Sequence, residues 1–238
     1  MIGKARRQAF FVTGTDTGVG KTVVSVLLMR ALRDAGLAVL GMKPVAAGCE
    51  PGPEGPRNED VEALRAAASF PVERERMNPY ALLPPVSPHL AAARAGVRVD
   101  LDLLRSRLDE LERRCDIVLV EGAGGWYAPV SETHTMADLA RALDLPVVLV
   151  VGLRLGCLNH ALLSAEAVVR GGSALLGWIA NRIDPQMALA AENIATLAGR
   201  LPCPLLGVVP HLGDDASQAE VRLDLSPLLL DAEGGARS

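Results

Sequence analysis

An apolar run, Phe10-Phe11-Val12, enters the segment Thr13-Gly14-Thr15-Asp16-Thr17-Gly18-Val19-Gly20-Lys21-Thr22 and leaves it as Val23-Val24-Ser25-Val26-Leu27-Leu28. A strand that turns through glycines into a helix aims successive backbone N–H groups and the positive end of a helix dipole at one point. That arrangement holds a polyphosphate. Lys21 adds a full charge there, and the Thr22 hydroxyl can hold Mg²⁺ beside the phosphates. The spacing departs from the usual phosphate loop. Thr15 stands where the first glycine is expected, and Gly14 falls one residue early.

Other residues extend this chemistry. Glu121 follows the apolar run Ile117-Val118-Leu119-Val120, so it reads as a second anchor for Mg²⁺ at a strand end or as the start of an exposed turn. Gly122-Ala123-Gly124-Gly125 comes next and reads as a turn that brings backbone N–H groups to a second anion. Lys43-Pro44-Val45 closes a strand; the lysine either points into the crevice, with Pro44 fixing the chain direction behind it, or lies on the surface. Asp60 opens a helix and reads first as a solvated cap. Asn181-Arg182-Ile183-Asp184 resembles the guanine-reading motif of GTPases, and with Pro185 after it fits a simple turn equally well.

The elements that must position these residues alternate. Strands are expected over Phe10–Thr13, Ala38–Met42, Ile117–Val120, Val147–Val151, Leu175–Ala180 and Leu205–Val209. Helices are expected over Thr22–Ala35, Asp60–Ala68, Pro88–Ala95, Leu101–Arg113, Met136–Leu143, Leu158–Arg170 and Gln186–Leu197. Runs such as Ile117–Val120 lack polar alternation, the mark of strands buried on both faces. The alternation predicts an α/β fold with a doubly wound, mostly parallel sheet, and ligands beyond the carboxyl ends of its strands. Gly48–Pro56 is rich in Pro and Gly and reads as a mobile loop. Residues 1–238 read as a single phosphate-loop domain, with a frayed tail from about Leu225 to Ser238.

Composition narrows the function. Half of the 238 residues are hydrophobic but only 3% are aromatic, so Leu, Val and Ala must build the core. A net charge of −4 offers nucleic acid or an anionic membrane no attraction. Cys49, Cys115, Cys157 and Cys203 are scattered, and the four histidines form no ligand pair, which argues against zinc. Lys4, Arg6 and Arg7 precede too short an apolar run for a signal peptide, and no stretch is long enough to span a bilayer. A cytoplasmic protein is expected.

Together these residues resemble the dethiobiotin synthetases, ATP-dependent enzymes that close the ureido ring in biotin synthesis. The resemblance rests on Gly14 to Thr22, Lys43-Pro-Val45, Arg57-Asn58 with Asp60, Asn78-Pro79-Tyr80, Ser87-Pro88-His89 and Glu121-Gly-Ala-Gly-Gly-Trp126. Leu155-Gly-Cys-Leu-Asn-His160 and Gly177-Trp-Ile-Ala-Asn181 continue the series. It implies that CO₂ carbamates one amine of 7,8-diaminononanoate and that the carbamate oxygen attacks the γ-phosphate of ATP. The neighbouring amine then attacks the mixed anhydride, closing the ring and releasing phosphate.

Roles follow by the same resemblance. Lys21 and Lys43 neutralise the meeting anions, and Thr22, Asp60 and Glu121 hold Mg²⁺. Thr17 and the backbone near Gly124 and Gly125 orient the carbamate, with Ala47 nearby. ATP is held by Gly18, Val19, Gly20, Lys21, Thr22 and Val23, by Gly122, Ala123 and Gly124, and around its base by Asn181, Arg182, Pro210, His211 and Leu212. A homodimer is implied, in which Cys157, Leu158 and Asn159 at a helix start receive the substrate carboxylate across the subunit interface. Cys157 then packs rather than reacts.

Three positions depart from the family: Ala47 replaces a serine, Arg182 an aspartate, and Ser217 a late acidic residue that Asp214 or Asp215 could supply. They touch base selectivity and remove one serine hydroxyl near the substrate, not the phosphate chemistry. A partitioning or septum-placing ATPase is the alternative on a related fold, but it needs a second lysine where Asp16 stands. A cobyrinate-type amidotransferase would need a glutaminase domain for which the chain is too short.

Overall fold

A computed structural model describes residues 9–53, 55–212 and 221–229. Lys4, Arg6, Arg7, Asp214, Asp215, Ser217 and residues 230–238 of the tail lie outside them. Strand β1 (Ala9–Gly14) is buried at every residue and leads through the glycine-rich turn into helix α1 (Lys21–Asp34). Apolar residues at Val24, Leu27, Leu28 and Leu32 give α1 one buried stripe, and each such side chain contributes roughly 1.5–3 kcal/mol by leaving water. Gly36, with φ +85°, turns the chain back toward the sheet.

Strands β2 (Val39–Met42), β5 (Ile117–Gly125), β6 (Val147–Gly152), β7 (Leu175–Asn181) and β8 (Leu205–Val209) join β1 in a sheet of order β2-β5-β1-β6-β7-β8. All its pairings are parallel. The chain leaves β1 toward β2 and β5 on one side and later crosses to β6 on the other, so the carboxyl end of β1 sits at the switch point where open sheets bind ligands. The expected doubly wound α/β sheet is the one observed. Helices α2 (Glu59–Ala67), α5 (Leu101–Glu112), α6 (Met136–Ala142) and α7 (Cys157–Arg170) fall within a residue or two of expectation.

A second, two-stranded parallel sheet joins β3 (Val45–Ala47) to β4 (Tyr80–Leu82), flanked by the short helices α3 (Arg74–Met77) and α4 (Pro88–Arg94). Strands of three residues carry too little pattern to be read from sequence. Glu50 and Arg57 exchange both backbone hydrogen bonds, at 2.7 and 2.8 Å, and close the segment between them at its base. Helix α8 (Ala190–Ala198) starts later than expected because Asp184 accepts from Gln186 N–H in a turn and Leu189 is left-handed, with φ +53°.

The tail also departs from expectation over its described part. Residues 221–225 pass against β8, where Asp224 N–H donates to the Leu206 carbonyl at 2.7 Å, and a Cβ on Gly207 would lie 2.8 Å from the Arg222 carbonyl oxygen. Leu228, in the short helix α9 (Ser226–Leu229), is fully buried.

Candidate active site

The glycine-rich turn is shaped by close approaches. A Cβ on Gly14 would meet Val19 at 2.6 Å, and one on Gly20 would meet the Asn181 amide nitrogen at 2.1 Å. Gly14 is therefore glycine because the buried Val19 side chain lies on it. Gly18 and Gly20 have φ of +73° and +79°, a region that side chains resist. No side chain caps α1, so the N–H groups of Lys21, Thr22 and Val23 remain available for an anion.

Beneath that helix start, three oxygen-bearing side chains converge. Thr22 Oγ1 lies 2.7 Å from Asp60 Oδ1 and 2.9 Å from Glu121 Oε1, within donating distance of either. Lys43 Nζ donates to Asp60 Oδ2 at 2.7 Å and to Glu121 Oε1 at 2.6 Å. Elements distant in sequence supply them: α1, α2, β5 and the link after β2. Asn58 caps α2 by accepting from Asp60 N–H and Val61 N–H, and its Nδ2 donates to the Ala47 carbonyl at 3.4 Å. Asp60 is thus both a first-turn residue of α2 and part of this cluster.

Glu121 sits elsewhere than the sequence suggested. Strand β5 does not end at Val120 but runs to Gly125, so Glu121 is an interior strand residue opposite Val12, wholly buried. The expected turn at Gly122–Gly125 is strand as well. Gly122 serves close packing, since a Cβ there would strike the Phe11 ring at 2.8 Å, whereas one on Gly125 would make ordinary contact, 3.5 Å from the Gly14 carbonyl oxygen. Gly124 alone is left-handed, with φ +67°, and a Cβ there would lie 3.6 Å from Thr17 Oγ1. Thr17 and Gly124 are therefore neighbours.

One oxygen of this cluster stays unpaired. Glu121 Oε2 is buried without a hydrogen-bond partner among the described residues, a costly state for a carboxylate oxygen. Two carboxylates and one hydroxyl suit Mg²⁺, which takes few protein ligands and completes its shell with phosphate and water. No group of three or more His, Cys, Asp or Glu residues that could hold a metal occurs among the described residues. Burial opposes charge on Lys43, but the Glu121 and Asp60 carboxylates outweigh it and raise its pKa. Burial likewise opposes charge on Asp60, yet Lys43 and Thr22 hold it below the usual carboxylate range.

Lys21 behaves oppositely. Burial and the like charge of Lys43 push it from 10.5 down to about 8, against the pull of Glu121, Asp60 and Asp16. Its Nζ donates to the Asp16 carbonyl at 3.2 Å. Between about pH 8 and 10.5 the unfolded chain binds the proton that the folded one has lost, so stability rises with pH across that window. Below pH 8 the penalty is fully present. Lys21→Met should therefore raise the melting temperature at pH 7 and flatten its rise toward pH 10. Parallel melting curves for the two proteins over that range would refute this.

The residues expected around the base are partly brought together. Asn181 is buried and its Nδ2 donates to the Val19 carbonyl at 2.9 Å, tying β7 to the glycine-rich turn. Arg182 N–H donates to Val209, and the Arg182 carbonyl lies 3.1 Å from His211 Nδ1, so the Pro210–Leu212 segment stands beside Arg182. At the start of α7, the Cys157 N–H is taken by the Arg154 carbonyl at 3.0 Å. Of the three residues assigned to the substrate carboxylate, Leu158 and Asn159 keep first-turn N–H groups without intrahelical partners. Cys157 is buried in the apolar cluster that includes Leu149, Val151 and Trp178. Arg154 also forms an ion pair with Asp16 of the glycine-rich turn. Sequence reasoning missed that pair, since 138 residues separate its members.

Comparison with known proteins decides the family. The model described as an AAA domain matches residues 8–218. The chain is 52% identical over 222 residues to the ATP-dependent dethiobiotin synthetase BioD of Nitrosospira multiformis, covering 93% of this chain and 94% of that protein. It is also 52% identical over 223 residues to the BioD of Pseudomonas aeruginosa strain UCBPP-PA14, covering 92% and 97%. The chain belongs to the dethiobiotin synthetase family. The BioD of Cellvibrio japonicus agrees, at 50% identity over 224 residues and 94% of this chain. Solved structures extend only the fold. The MinC:MinD complex of Aquifex aeolicus matches with a TM-score of 0.55 at 17% identity over 87% of this chain and 82% of that one. Chloroplast FtsY of Physcomitrella patens matches with a TM-score of 0.52 at 20% identity, over 96% and 65%. The synthetase reading absorbs the septum-placing alternative as a likeness of fold.

Proposed function

We propose that this chain is an ATP-dependent cyclo-ligase that joins CO₂ to 7,8-diaminononanoate, forming dethiobiotin, ADP and phosphate. One observation carries the reading: Lys43, Thr22, Asp60 and Glu121 meet beneath a helix start that can hold phosphate. The reaction must bring a carbamate to a triphosphate, two anions that repel. Lys21 and Lys43 flank the point of approach and offset that repulsion by position rather than by net charge.

In this reading, the helix start of α1 and Lys21 bind the phosphates. Lys43 faces the γ-phosphoryl and the carbamate together, and Thr17 with the Gly124 backbone aligns the carbamate oxygen. That oxygen forms the new P–O bond as the bond to ADP breaks. The second amine then attacks the carbamoyl carbon, losing a proton as the C–O bond to phosphate opens. Thr22, Asp60 and Glu121 would hold Mg²⁺, which when bound offsets charge on the β- and γ-phosphates. Asn181, Arg182 and Pro210–Leu212 would face the base, with Ala47 near the diamine.

The proposal includes a homodimer in which Leu158 and Asn159 of one subunit serve the other's substrate, a single domain over the whole chain, and a cytoplasmic location. Among the described residues no helix is long and apolar enough to cross a membrane. The test is direct. Protein, MgATP, bicarbonate and diamine should release phosphate only when all are present. Repeating the assay with GTP and CTP reads the base site, and a strong preference for GTP would overturn the adenine role of Asn181.

A further inference from the structure

Lys43 is placed by a segment that has no strand of its own. Strand β2 ends at Met42 and β3 begins at Val45, and Pro44 between them has no N–H to donate. The backbone of Lys43 is nevertheless buried, so its groups need partners. They come from residues 77–80. Lys43 N–H donates to the Met77 carbonyl at 2.8 Å, and Tyr80 N–H to the Pro44 carbonyl at 3.2 Å. The Lys43 carbonyl accepts from Asn78 Nδ2 at 2.7 Å, and the same nitrogen reaches the Tyr80 carbonyl at 3.3 Å.

Asn78 is only 4% exposed. Two carbonyl oxygens facing one group require donors, and the side-chain amide supplies both N–H bonds from one nitrogen. Aspartate would set a carboxylate against those oxygens. A hydroxyl could serve one of them, and alanine neither. Of the buried polar side chains among the described residues, Lys21, Lys43, Glu121 and Asn181 belong to the site already described. Asn78 is outside the crevice and bonds the backbone of one of them.

We propose that Asn78 is a positioning residue, whose amide fixes the backbone from which Lys43 reaches Glu121 and Asp60. It rests on the synthetase reading only for the role of Lys43. The physical reason is leverage. A lysine side chain has four rotatable bonds, so its ammonium keeps a single place only if its Cα is held and its stem is packed. The glycine-rich turn and α1 are held separately, through Asn181 and Val19. Loosening Asn78 therefore displaces Lys43 and spares the nucleotide site.

The chain has only three lysines, Lys4, Lys21 and Lys43, which makes amine labelling a clean probe. Wild type, Asn78→Ala and Asn78→Ser are acetylated briefly, and each lysine is followed by mass spectrometry beside steady-state kinetics. Asn78→Ala should label Lys43 at least tenfold faster with Lys21 unchanged, and lower kcat at least tenfold with KM for ATP within threefold. Asn78→Ser, which keeps one donor, should fall between. Should Asn78→Ala not fold, the serine variant decides by the same two readings. Lys21 and Lys43 labelling faster together, or kcat and KM for ATP shifting in proportion, would mean general loosening and overturn the proposal, as would no change at all. If wild type makes no dethiobiotin, the synthetase reading fails alone, because the labelling ratio still tests whether Asn78 places Lys43.

Discussion

Lys43→Ala is expected to abolish ring closure while the protein still binds ATP. The charge that faces both anions is lost, and removal of a positioned cation from a phosphoryl-transfer site costs on the order of 10³-fold or more in kcat. Nucleotide binding should hold, because the helix start of α1, Lys21 and the glycine-rich turn are untouched. A second effect follows from burial. Without Lys43, the wholly buried Glu121 and the part-buried Asp60 face one another as like charges. Breaking a buried pair by removing one partner costs roughly 3–5 kcal/mol. The variant should therefore melt earlier than wild type in EDTA and recover much of the difference in millimolar Mg²⁺, which can take the place of the missing cation. Calorimetric titration of ATP, product formation and the two melting curves check this. Turnover near the wild-type rate would falsify the role given to Lys43.

Glu121→Gln should produce the second largest loss. The amide keeps the shape and one acceptor for Lys43 and Thr22, so the fold survives, but the charge that draws a divalent ion is gone. Activity should fall roughly 10²- to 10³-fold, the scale of losing one preorganised electrostatic contact, and the Mg²⁺ concentration for half-maximal rate should rise. The requirement for Mg²⁺ is the discriminating readout. A variant that loses activity at every Mg²⁺ concentration with an unchanged half-maximal value would assign Glu121 to something other than the cation.

The sheet and most of its helices were legible because apolar runs of four or more residues alternate with amphipathic ones. Boundaries failed where a local rule gave way to packing. The glycines after Glu121 look like a turn in isolation, yet β5 continues through them, and Phe11 lies too close to Gly122 for a side chain there. The phosphate loop was legible from a strand turning through glycines into Lys-Thr and a helix, and Lys43 from its place after a strand, whereas Glu121 reads as a strand end that β5 in fact runs past. Asp60 was not, since an acid in a first helical turn looks like a cap until Thr22 and Lys43 are brought beside it from distant segments. The contacts of Asn78 and of the Asp16–Arg154 pair follow from no local pattern. They act on backbone or charge contributed by other elements, and only the folded arrangement reveals them.

The stretch that crosses β8 has a practical meaning. An outer strand is a template on which a foreign strand can stack, and chains guard against it by obstructing that row. Here Arg222, Leu223 and Asp224 stand in the way and Leu228 pins them. Trimming the chain back past residue 221 to tidy its end would strip off that guard, so aggregation rather than lost catalysis is the first defect to look for in such a truncation.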